Sequence, residues 1–511
     1  MRNVQRGALA ILSTVAAATL LAGCTIAAPT PTKTLVDAPA GLEQYYGQQV
    51  DWSACEPAGM ECATVTAPVN WADPSVGDIE LAVVRLATDS ATRVGSLLMN
   101  PGGPGGSGVE LVQQAAEYVT SDDLRANFDI VGWDPRGVGL STGVSCLDGA
   151  DLDAFLYGVP ANPAGSDAWF AEQVESEAKF AAACAENSGD LLGTIDVDSN
   201  ARDMDLLRAV LGDEKLNYLG FSYGTSFGAH YAELFPQNVG RLVLDGAVDP
   251  SLGAAETFTV QMGGFENAFR SYVDFCLGEA TCPFTGSLDE ALGQASALFA
   301  GVEGRALKAD DGRQLTASSL GTALSYPLYD EGSWPALSQM LGELEAGDAT
   351  LALQFADAYN SRNEDGSYAD QATAVYTAAT CLDNEFSGGL ESTKSTLAAI
   401  EAVAPTIGKY VAYGDWVHID IACQNWPFES VITREALTAD GAAPILVVGT
   451  TNDPATPYAW AQAMASQLSS GVLVTREGEG HTAYSQGNAC IDTTVDDYLI
   501  AGSVPVADPL C

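Results

Sequence analysis

The feature of this sequence that most constrains its fold is a Gly-x-Ser-x-Gly motif inside residues 216–228, which read LNYLGFSYGTSFG. The apolar residues before the motif suit a buried strand, and those after it have helical spacing. Gly220 and Gly224 flank Ser222, as a tight strand-to-helix turn requires, because a side chain would not fit at either flank. Such a turn exposes the Ser222 hydroxyl at the sheet edge and aims the amide of Tyr223 at a developing oxyanion. The segment therefore predicts a nucleophile at Ser222 and an oxyanion donor at Tyr223.

A loop rich in glycine and proline precedes this motif in the chain. Residues 95–99 suit a short buried strand, which runs directly into Asn-Pro-Gly-Gly-Pro-Gly-Gly at 100–106. Such a backbone can approach a ligand closely, so we expect the amide of Gly103 to be the second oxyanion donor. The loop could also be a plain turn, and among 52 glycines a chance Gly-x-Ser-x-Gly is expected in roughly one of three chains. The catalytic interpretation therefore depends on partners for Ser222.

A serine nucleophile needs a base, and the chain has only three histidines. His230 lies eight residues into the helix that follows Ser222, roughly 12 Å along its axis and out of reach. His418 stands near a tryptophan in a helical region and suits packing or contact with a substrate. His481 follows the last predicted strand, where a base would overhang the sheet edge, so we expect it to be the base.

The acid that orients this base should follow a strand and lie between the serine and the histidine in chain order. Asp453 meets both conditions, since it follows the strand predicted at 445–448 and precedes His481 by 28 residues. Taken singly, Asp453 could cap a helix before Pro454, and His481 could be a surface loop residue. Taken together at three strand ends, Ser222, Asp453 and His481 predict a catalytic triad.

Strands and helices alternate from residue 80 to 250, which indicates a mostly parallel sheet with helices on both faces. Beyond residue 253 the chain is largely helical and alanine-rich, and a strand resumes with PILVVG at 444–449. The order of the triad along such a sheet is that of an α/β-hydrolase with a large inserted helical cap. We expect a core in two parts and one cap: core 45–252, cap 253–440 and core 441–511.

Two further features suggest structural roles. Arg136 follows the strand expected at 128–133 and suits a buried ion pair that holds its loop, rather than a contact with substrate. Residues 199–211 have the pattern of an amphipathic helix, capped by Asp198 or Ser199.

The first residues have the pattern of an export signal. Two arginines precede an apolar run, residues 8–21, that is too short to span a membrane. Small residues then lead directly to Cys24, as in a bacterial lipoprotein signal, in which that cysteine receives a lipid. We therefore expect residues 1–23 to be removed, Cys24 to carry a membrane anchor and residues 24–44 to form a flexible tether. An ordinary secretory signal with an incidental cysteine is the alternative.

Exported proteins form disulfides, and ten of the 11 cysteines remain when Cys24 is set aside. This even set predicts five disulfides, although ten cysteines allow about 945 pairings. No spacing resembles a zinc site, and we expect neither a metal nor a cofactor. Pairing each cysteine with its neighbour is the simplest guess: Cys55–Cys62, Cys146–Cys184, Cys276–Cys282, Cys381–Cys423 and Cys490–Cys511.

The composition excludes some classes of partner. The chain is 47% hydrophobic and 17% charged, which suits a large core and excludes global disorder. Its formal net charge of −46, from 67 acidic and 21 basic residues, argues against nucleic acid and against a polybasic contact with anionic lipid.

Several motifs together resemble one known family. The runs NPGGPGGSG at 100–108, DPRGVGLS at 134–141, GFSYGTSFG at 220–228 and RLVLDGAVDP at 241–250 are similar to those of the secreted tripeptidyl aminopeptidases of actinobacteria. The related prolyl aminopeptidases have a histidine in the oxyanion loop where this chain has Pro101, which points to the tripeptidyl branch. The resemblance implies an exported or lipid-anchored α/β-hydrolase with a helical cap, which releases short peptides from the free N-termini of peptide substrates.

An enzyme that acts on free N-termini must bind an α-ammonium group, and buried carboxylates of the cap are suited to this. Asp383 and Glu385, beside Cys381, are the candidates by position. Two other classes remain open. One is a carboxylesterase or lipase on the same fold, since a triad does not distinguish an ester from an amide. The other is a lipid-anchored binding protein on an inactive hydrolase scaffold, against which an intact triad argues.

Overall fold

The computed structural model describes residues 38–506 and 508–511. Nine strands lie within these ranges: β1 Ser53–Cys55, β2 Met60–Pro68, β3 Asp78–Leu86, β4 Gly95–Asn100, β5 Phe128–Trp133, β6 Leu216–Phe221, β7 Val239–Asp245, β8 Ile445–Asn452 and β9 Gly471–Glu479. They form one sheet in the order β1-β2-β3-β5-β4-β6-β7-β8-β9. The pairs β1–β2, β2–β3 and β3–β5 are antiparallel, and every pairing from β5 across to β9 is parallel. The expected mostly parallel sheet is confirmed.

The parallel arrangement brings the carboxyl ends of six strands to one edge of the sheet. These ends are Asn100, Trp133, Phe221, Asp245, Asn452 and Glu479. The Gly/Pro loop, the serine turn and the loops that carry the predicted acid and base each begin at one of them. Residues far apart in sequence therefore meet at this edge, as ligands and catalytic groups do in open parallel sheets.

Alternation of side chains along the strands divides the core of the sheet into two layers. In β4, Leu97 and Met99 face one side and Leu98 faces the other, and all three are buried. In the part of the chain that the structure describes, three helices cover the first side: α2 Gly108–Val119, α3 Asp122–Asn127 and α18 Ala489–Ala501. Six contribute to the second: α1 Glu43–Tyr46, α5 Asp167–Ser188, α6 Val197–Leu211, α7 Gly224–Leu234, α13 Ala372–Asp383 and α17 Tyr458–Gln467.

The segment between β7 and β8 is helical and has an apolar core of its own. It contains α8 Ala254–Leu277, α9 Leu288–Arg305, α10 Ala317–Ser325, α11 Trp334–Ala346, α12 Thr350–Tyr359, α13 Ala372–Asp383, α14 Gly389–Val403, α15 Gly408–Gly414 and α16 Trp416–Gln424. We call this segment, between β7 and β8, the cap. Short 3-10 helices lie within it at Tyr326–Tyr329 and Glu331–Ser333, and before it at Gly189–Thr194 and Pro236–Asn238.

The cap also receives helices from the first part of the chain, α4 (Gly149–Tyr157) and α5 (Asp167–Ser188). Tyr157 on α4 and Trp169 and Phe170 at the start of α5 belong to the same apolar cluster as the cap helices. The cap layer is therefore larger than the segment 253–440 expected from the change in sequence pattern.

Helix α6 begins two residues before the segment that its apolar spacing predicts. Its N-cap is Asp196, whose Oδ1 accepts a hydrogen bond from the amide of Ser199 at 2.8 Å. The predicted cap at Asp198 or Ser199 is wrong, because all three residues are good capping residues and the apolar spacing does not choose among them. Asp198 instead contacts His230, with 2.8 Å between its Oδ1 and Nδ1 of the imidazole.

Five disulfides link the described cysteines in the neighbour pairing expected from the sequence. The pair Cys276–Cys282 and the pair Cys381–Cys423 lie in the cap. The other three are Cys55–Cys62, Cys146–Cys184 and Cys490–Cys511.

The N-terminal predictions lie outside the described residues. These are the signal at 1–23, the lipidation site at Cys24 and most of the tether at 24–44. Among the helices that the structure does describe, none combines the length and the apolarity that a membrane span needs.

A buried ion pair holds the loop after β5, as expected. Arg136 donates from Nε and Nη2 to the two carboxylate oxygens of Asp203, each at 2.8 Å, and both side chains are fully buried. Further N–H groups of Arg136 donate to the carbonyls of Val69 at 2.8 Å and Thr194 at 3.2 Å. The indole of Trp71 donates to Asp203 at 3.0 Å. The pair thus ties this loop to α6 and to the chain after β2.

Replacing Asp203 with Asn should destabilise the protein strongly, because it leaves the guanidinium of Arg136 buried without a counter-charge. We expect the free energy of unfolding to fall by about 3–5 kcal/mol, measured by urea denaturation followed by tryptophan fluorescence. The control is Lys179→Ala on α5, whose pair with Glu175 is exposed and should matter little. Equal denaturation midpoints for Asp203→Asn and the control would contradict the structural role of the pair.

Candidate active site

The turn between β6 and α7 is strained at the predicted nucleophile. Ser222 has φ of 54°, in the left-handed region that residues with a side chain rarely adopt. Its amide donates to the carbonyl of Asp245 at 2.8 Å, which fixes the turn against β7. Tyr223 follows as the N-cap of α7, so its amide stands at the helix N-terminus.

The glycines on both flanks of Ser222 are required by close packing. A Cβ at Gly220 would lie 2.5 Å from Cε1 of Tyr218 and 2.6 Å from the carbonyl oxygen of Gly224. A Cβ at Gly224 would lie 2.9 Å from Oδ1 of Asn100. The hydroxyl of Tyr218 donates to the carbonyl of Gly224 at 2.8 Å and holds this crossing in place.

The predicted acid and base form a buried pair. Nδ1 of His481 lies 2.9 Å from both carboxylate oxygens of Asp453, which is fully buried. The amides of Ala455 and Thr456 donate to Oδ1 of Asp453 at 2.9 and 2.8 Å, and the amide of Thr482 donates to Oδ2 at 3.1 Å. These donors hold the carboxylate in the orientation that a His–Asp pair needs.

The other ring nitrogen of His481 is free for chemistry. Its Nε2 is buried and has no hydrogen-bond partner among the described residues. Ser222 and His481 line the same cavity, although no hydrogen bond between them is formed. Catalytic hydrogen bonds are often long without substrate and shorten when it binds.

The protonation of His481 is set by two opposing effects. Burial lowers the pKa of the imidazole, but the carboxylates of Asp453 and Asp245 raise it, and the pKa lies above its ordinary value. Burial also raises the pKa of Asp245 to about 6. The carboxylate of Asp245 accepts hydrogen bonds from the amides of Ala483 at 3.0 Å and Tyr484 at 2.8 Å, so it positions the loop that carries His481.

The Gly/Pro loop packs directly on the serine turn. A Cβ at Gly102 would lie 2.9 Å from the amide nitrogen of Tyr223 and 3.0 Å from Cβ of Ser222. The amide of Gly102 is used internally, since it donates to Oδ1 of Asn100 at 2.9 Å. Gly103, with φ of 114°, is the next residue and lines the cavity at Ser222. The loop thus lies where the prediction of oxyanion donors at Gly103 and Tyr223 requires it.

A cavity of about 540 Å³ extends from Ser222 and His481 into the cap. This volume lies within the range of typical ligand sites. Tyr329 belongs to the cap and covers the base: its carbonyl accepts the amide of His481 at 2.9 Å, and its ring packs edge-on against the imidazole. Cap residues far from the serine in sequence also line the cavity: Gln173, Glu177, Tyr326, Tyr359, Asp370, Tyr376, Asp415 and His418.

Each of the remaining histidines contacts a carboxylate. His230 is buried on α7 and contacts Asp198, in agreement with its exclusion as the base. His418 lines the main cavity and pairs with Glu177, with 2.7 Å between Nδ1 and Oε2.

The two carboxylates predicted to bind an amine lie in different surroundings. Asp383 is buried and accepts the amide of Val197 at 2.9 Å and the hydroxyl of Tyr223. It faces a second, smaller cavity at Ser222. Glu385 is solvent-exposed and lines neither cavity, so the geometry gives its assignment no support.

Three acidic residues of the main cavity, Glu177, Asp370 and Asp415, were missed by the sequence reasoning. None belongs to a motif, and Glu177 lies on α5, in a segment assigned to the main core. The tryptophan at 416 and His418 nearby were the only local signal, and they indicated packing as readily as binding.

The nine-stranded sheet, the strained serine turn and the buried Asp–His pair define the class of the α/β-hydrolases. A family model described as TAP-like protein matches residues 409–511. Tripeptidyl aminopeptidase of Streptomyces coelicolor is 31% identical over 480 residues, covering 90% of this chain and 86% of the relative. Serine protease Hip1 of Mycobacterium tuberculosis is 33% identical over 491 residues, covering 92% of each chain. The chain belongs to the family of these tripeptidyl aminopeptidases and serine proteases, and it is a serine hydrolase.

Two other matches are less specific. Carboxylesterase B of Mycobacterium tuberculosis is 34% identical over 511 residues, and the match covers 96% of each chain. Among solved structures, proline iminopeptidase of Mycobacterium smegmatis matches 86% of this chain and 100% of its own, at 16% identity and a TM-score of 0.36. A likeness this weak carries no argument about function. Within the described residues, no group of three or more His, Cys, Asp or Glu could hold a metal ion.

Replacing Ser222 with Ala should abolish hydrolysis and leave the fold intact, because its hydroxyl is the predicted attacking group. We expect kcat/KM below about one thousandth of wild type, with an unchanged circular dichroism spectrum and no labelling by a fluorophosphonate. Turnover above that level in a folded variant would contradict the assignment of the nucleophile.

Replacing Asp453 with Asn should lower the pKa of His481, because the carboxylate that favours the imidazolium is lost. Proton NMR can follow the titration of the imidazole, since the chain has only three histidines to assign. The matched control is Asp198→Asn, which removes the carboxylate beside His230 and should leave His481 unchanged. A pKa of His481 that does not move in Asp453→Asn would refute the pairing.

Proposed function

We propose that this protein is an exported serine peptidase that releases short peptides, of about tripeptide length, from the free N-terminus of peptide substrates. The proposal rests on the family to which the chain belongs and on the charge of the cavity beside the reacting serine.

The proposed reaction passes through an acyl-enzyme. The Ser222 hydroxyl attacks the scissile carbonyl carbon while Nε2 of His481 takes its proton, and Asp453 stabilises the imidazolium. The amides of Gly103 and Tyr223 donate to the oxyanion. His481 then protonates the leaving amine as the C–N bond breaks. A water molecule repeats the attack on the ester, and the peptide acid leaves.

The observation that carries the aminopeptidase proposal is a pair of acids in the same cavity as Ser222: Glu177, which is buried, and Asp415, which is partly buried. Burial opposes a charge on His418, but the carboxylates of Glu177 and Asp415 raise its pKa above the ordinary value. His418 pairs with Glu177 at 2.7 Å, whereas Asp415 forms no ion pair within 4.0 Å among the described residues. An α-ammonium group of a substrate would supply the missing positive charge.

Asp415 is the carboxylate with room for such a ligand. The hydroxyl of Tyr376 donates to its Oδ1 at 2.9 Å. Burial raises the pKa of Asp415 to about 6, so the group is anionic at neutral pH and its charge is costly without a cation. Asp383 and Glu385 stay as predictions for the amine site, but neither lines the main cavity.

The location outside the cytoplasm is also a proposal. The lipoprotein-type sequence ending at Cys24 supports a lipid-anchored or secreted protein. The five disulfides support an oxidising compartment.

The competing function is that of a carboxylesterase, which the name of one relative at 34% identity favours. A triad and an oxyanion hole serve esters and amides alike. Buried acids in the cavity favour a cationic substrate group over a neutral acyl chain.

Three substrates distinguish these functions: a tripeptide p-nitroanilide with a free amine, its acetylated counterpart, and a short-chain p-nitrophenyl ester. We expect kcat/KM for the free amine to exceed that of the acetylated peptide by at least roughly tenfold, as a charged hydrogen bond is lost on acetylation. Equal rates would refute recognition of the amine. Hydrolysis of the ester alone would make the protein an esterase.

Glu177→Gln and Asp415→Asn should each lower the ratio of free-amine to acetylated turnover, mainly by raising KM for the free-amine substrate. The control is Asp420→Asn. The carboxylate of Asp420 is buried on the same helix as His418, accepts hydrogen bonds from Thr393 and Gln424, and does not line this cavity. A ratio that falls equally in the control would show that the effect is structural.

The same ratio should fall as the pH is lowered through about 6, because Asp415 is then neutralised. Protonation of His481 affects both substrates and cancels in the ratio. Glu177 and His418 face the same cavity, and the pH dependence of the ratio in Glu177→Gln shows whether this pair contributes. A ratio independent of pH between about 5 and 8 would contradict the role of Asp415.

A further inference from the structure

A second cavity of about 110 Å³ also opens at Ser222. It shares Gly103, Pro104 and Tyr376 with the main cavity, so the reacting serine lies where the two meet. A peptide bond that lies against Ser222 has one residue on its acyl side and one residue on its amine side. The small cavity is therefore in a position to receive one side chain, or one residue, that flanks the scissile bond.

One cation lines this small cavity without a direct partner. Arg434 donates no hydrogen bond and forms no ion pair within 4.0 Å among the described residues, and its Nε is buried and unpartnered. A buried polar group without a partner costs free energy. By contrast, Arg136, Arg208 and Arg313 each hold a carboxylate at 2.6–2.8 Å.

The backbone holds Arg434 at this place. It lies on the irregular strap, residues 425–444, that leads from α16 back to β8. Before it, the hydroxyl of Ser430 donates to the carbonyl of Leu382 at 2.6 Å. After it, Oε2 of Glu233 accepts the amides of Thr438 at 2.9 Å and Ala439 at 2.7 Å. The strap is thus fastened on both sides of the arginine.

The other charged groups of the cavity already have partners. Asp383 accepts hydrogen bonds from the amide of Val197 and the hydroxyl of Tyr223, and His230 contacts Asp198. Arg434 is near enough to Asp383 to act on its charge, but not to bond it. Arg434 is therefore the charged group of the small cavity that lacks a partner among the described residues, and an anionic hydrogen-bond acceptor is the ligand that suits it.

We propose that the small cavity is a specificity subsite and that Arg434 selects a substrate carboxylate next to the scissile bond. This inference rests on the proposed peptidase function. A guanidinium fits a carboxylate with two parallel hydrogen bonds. The carboxylate can belong to an Asp or Glu side chain on the acyl side of the bond or to the first leaving residue, including its own C-terminal carboxylate.

The test uses peptides with a free N-terminus that differ only by Glu against Gln. One pair places the change at the third residue, before the scissile bond, and a second pair at the fourth, after it. A third pair compares a tetrapeptide acid with its amide. Initial rates are measured by chromatography with mass detection, and kcat/KM is compared within each pair.

We expect roughly a tenfold or larger preference for the carboxylate in at least one pair, the size of a charge-assisted hydrogen bond. That pair identifies which side of the bond the small cavity serves. Arg434→Gln should bring its ratio close to one, Arg434→Lys should restore it in part, and Arg434→Glu should invert it in favour of the neutral member of the pair. Each ratio comes from one preparation, so a lower fraction of folded enzyme cancels.

The control variant is Arg270→Gln, which removes one positive charge from an exposed position on α8 and should leave all ratios unchanged. Ratios near one for all three pairs in an active wild-type enzyme would overturn the role of Arg434 and leave the peptidase function standing. A preference that survives Arg434→Gln would also overturn it. No turnover of any free-amine peptide would refute the peptidase function itself, and this inference with it.

Discussion

Asp245, at the carboxyl end of β7, supports the nucleophile and the base together. Its carbonyl accepts the amide of Ser222 at 2.8 Å, and its carboxylate accepts the amides of Ala483 and Tyr484, two and three residues after His481. The left-handed conformation of Ser222 costs roughly 1–3 kcal/mol, so it persists only where neighbours hold it. Because the side chain of Asp245 is fully buried, water does not compete for these bonds, and the residue fixes the two segments relative to each other.

The sheet edge carries the predicted catalytic groups, and the cap carries the residues proposed to select the substrate. The edge provides Ser222 as the predicted nucleophile, with His481 as its base and Asp453 to orient that base, a set that serves esters and amides alike. The cap closes over the base through Tyr329 and brings Glu177 and Asp415 to the main cavity, while the strap returning from the cap brings Arg434 to the small one. Acids thus line the main cavity, and the small cavity holds Arg434 together with Asp383. This arrangement supports the proposal that the substrate is selected by its charges along the chain rather than by its apolar surface.

Several elements could be predicted because their signal is local. Strand β5 begins and ends where its apolar run does, at Phe128 and Trp133. The buried role of Arg136 followed from its place after that strand. The N-cap of α6 could not be chosen, because Asp196, Asp198 and Ser199 all cap well and only the entry angle of the chain selects one. The placement of α4 and α5 against the cap depends on packing between segments far apart in sequence, which leaves no local pattern.

The sequence by itself determined the order of strands and helices and the serine turn, and it was enough to predict the base. Glycines at 220 and 224 are required by steric contact within a few residues, and the number of histidines is small. Only the tertiary structure decided which acids line the cavity, because more than 60 carboxylates are available and burial separates them. It also decided that Arg434 has no hydrogen-bond or ion-pair partner among the described residues and lines the small cavity with Ser222. The role proposed for it arises from this missing partner in three dimensions, and no pattern along the chain encodes it.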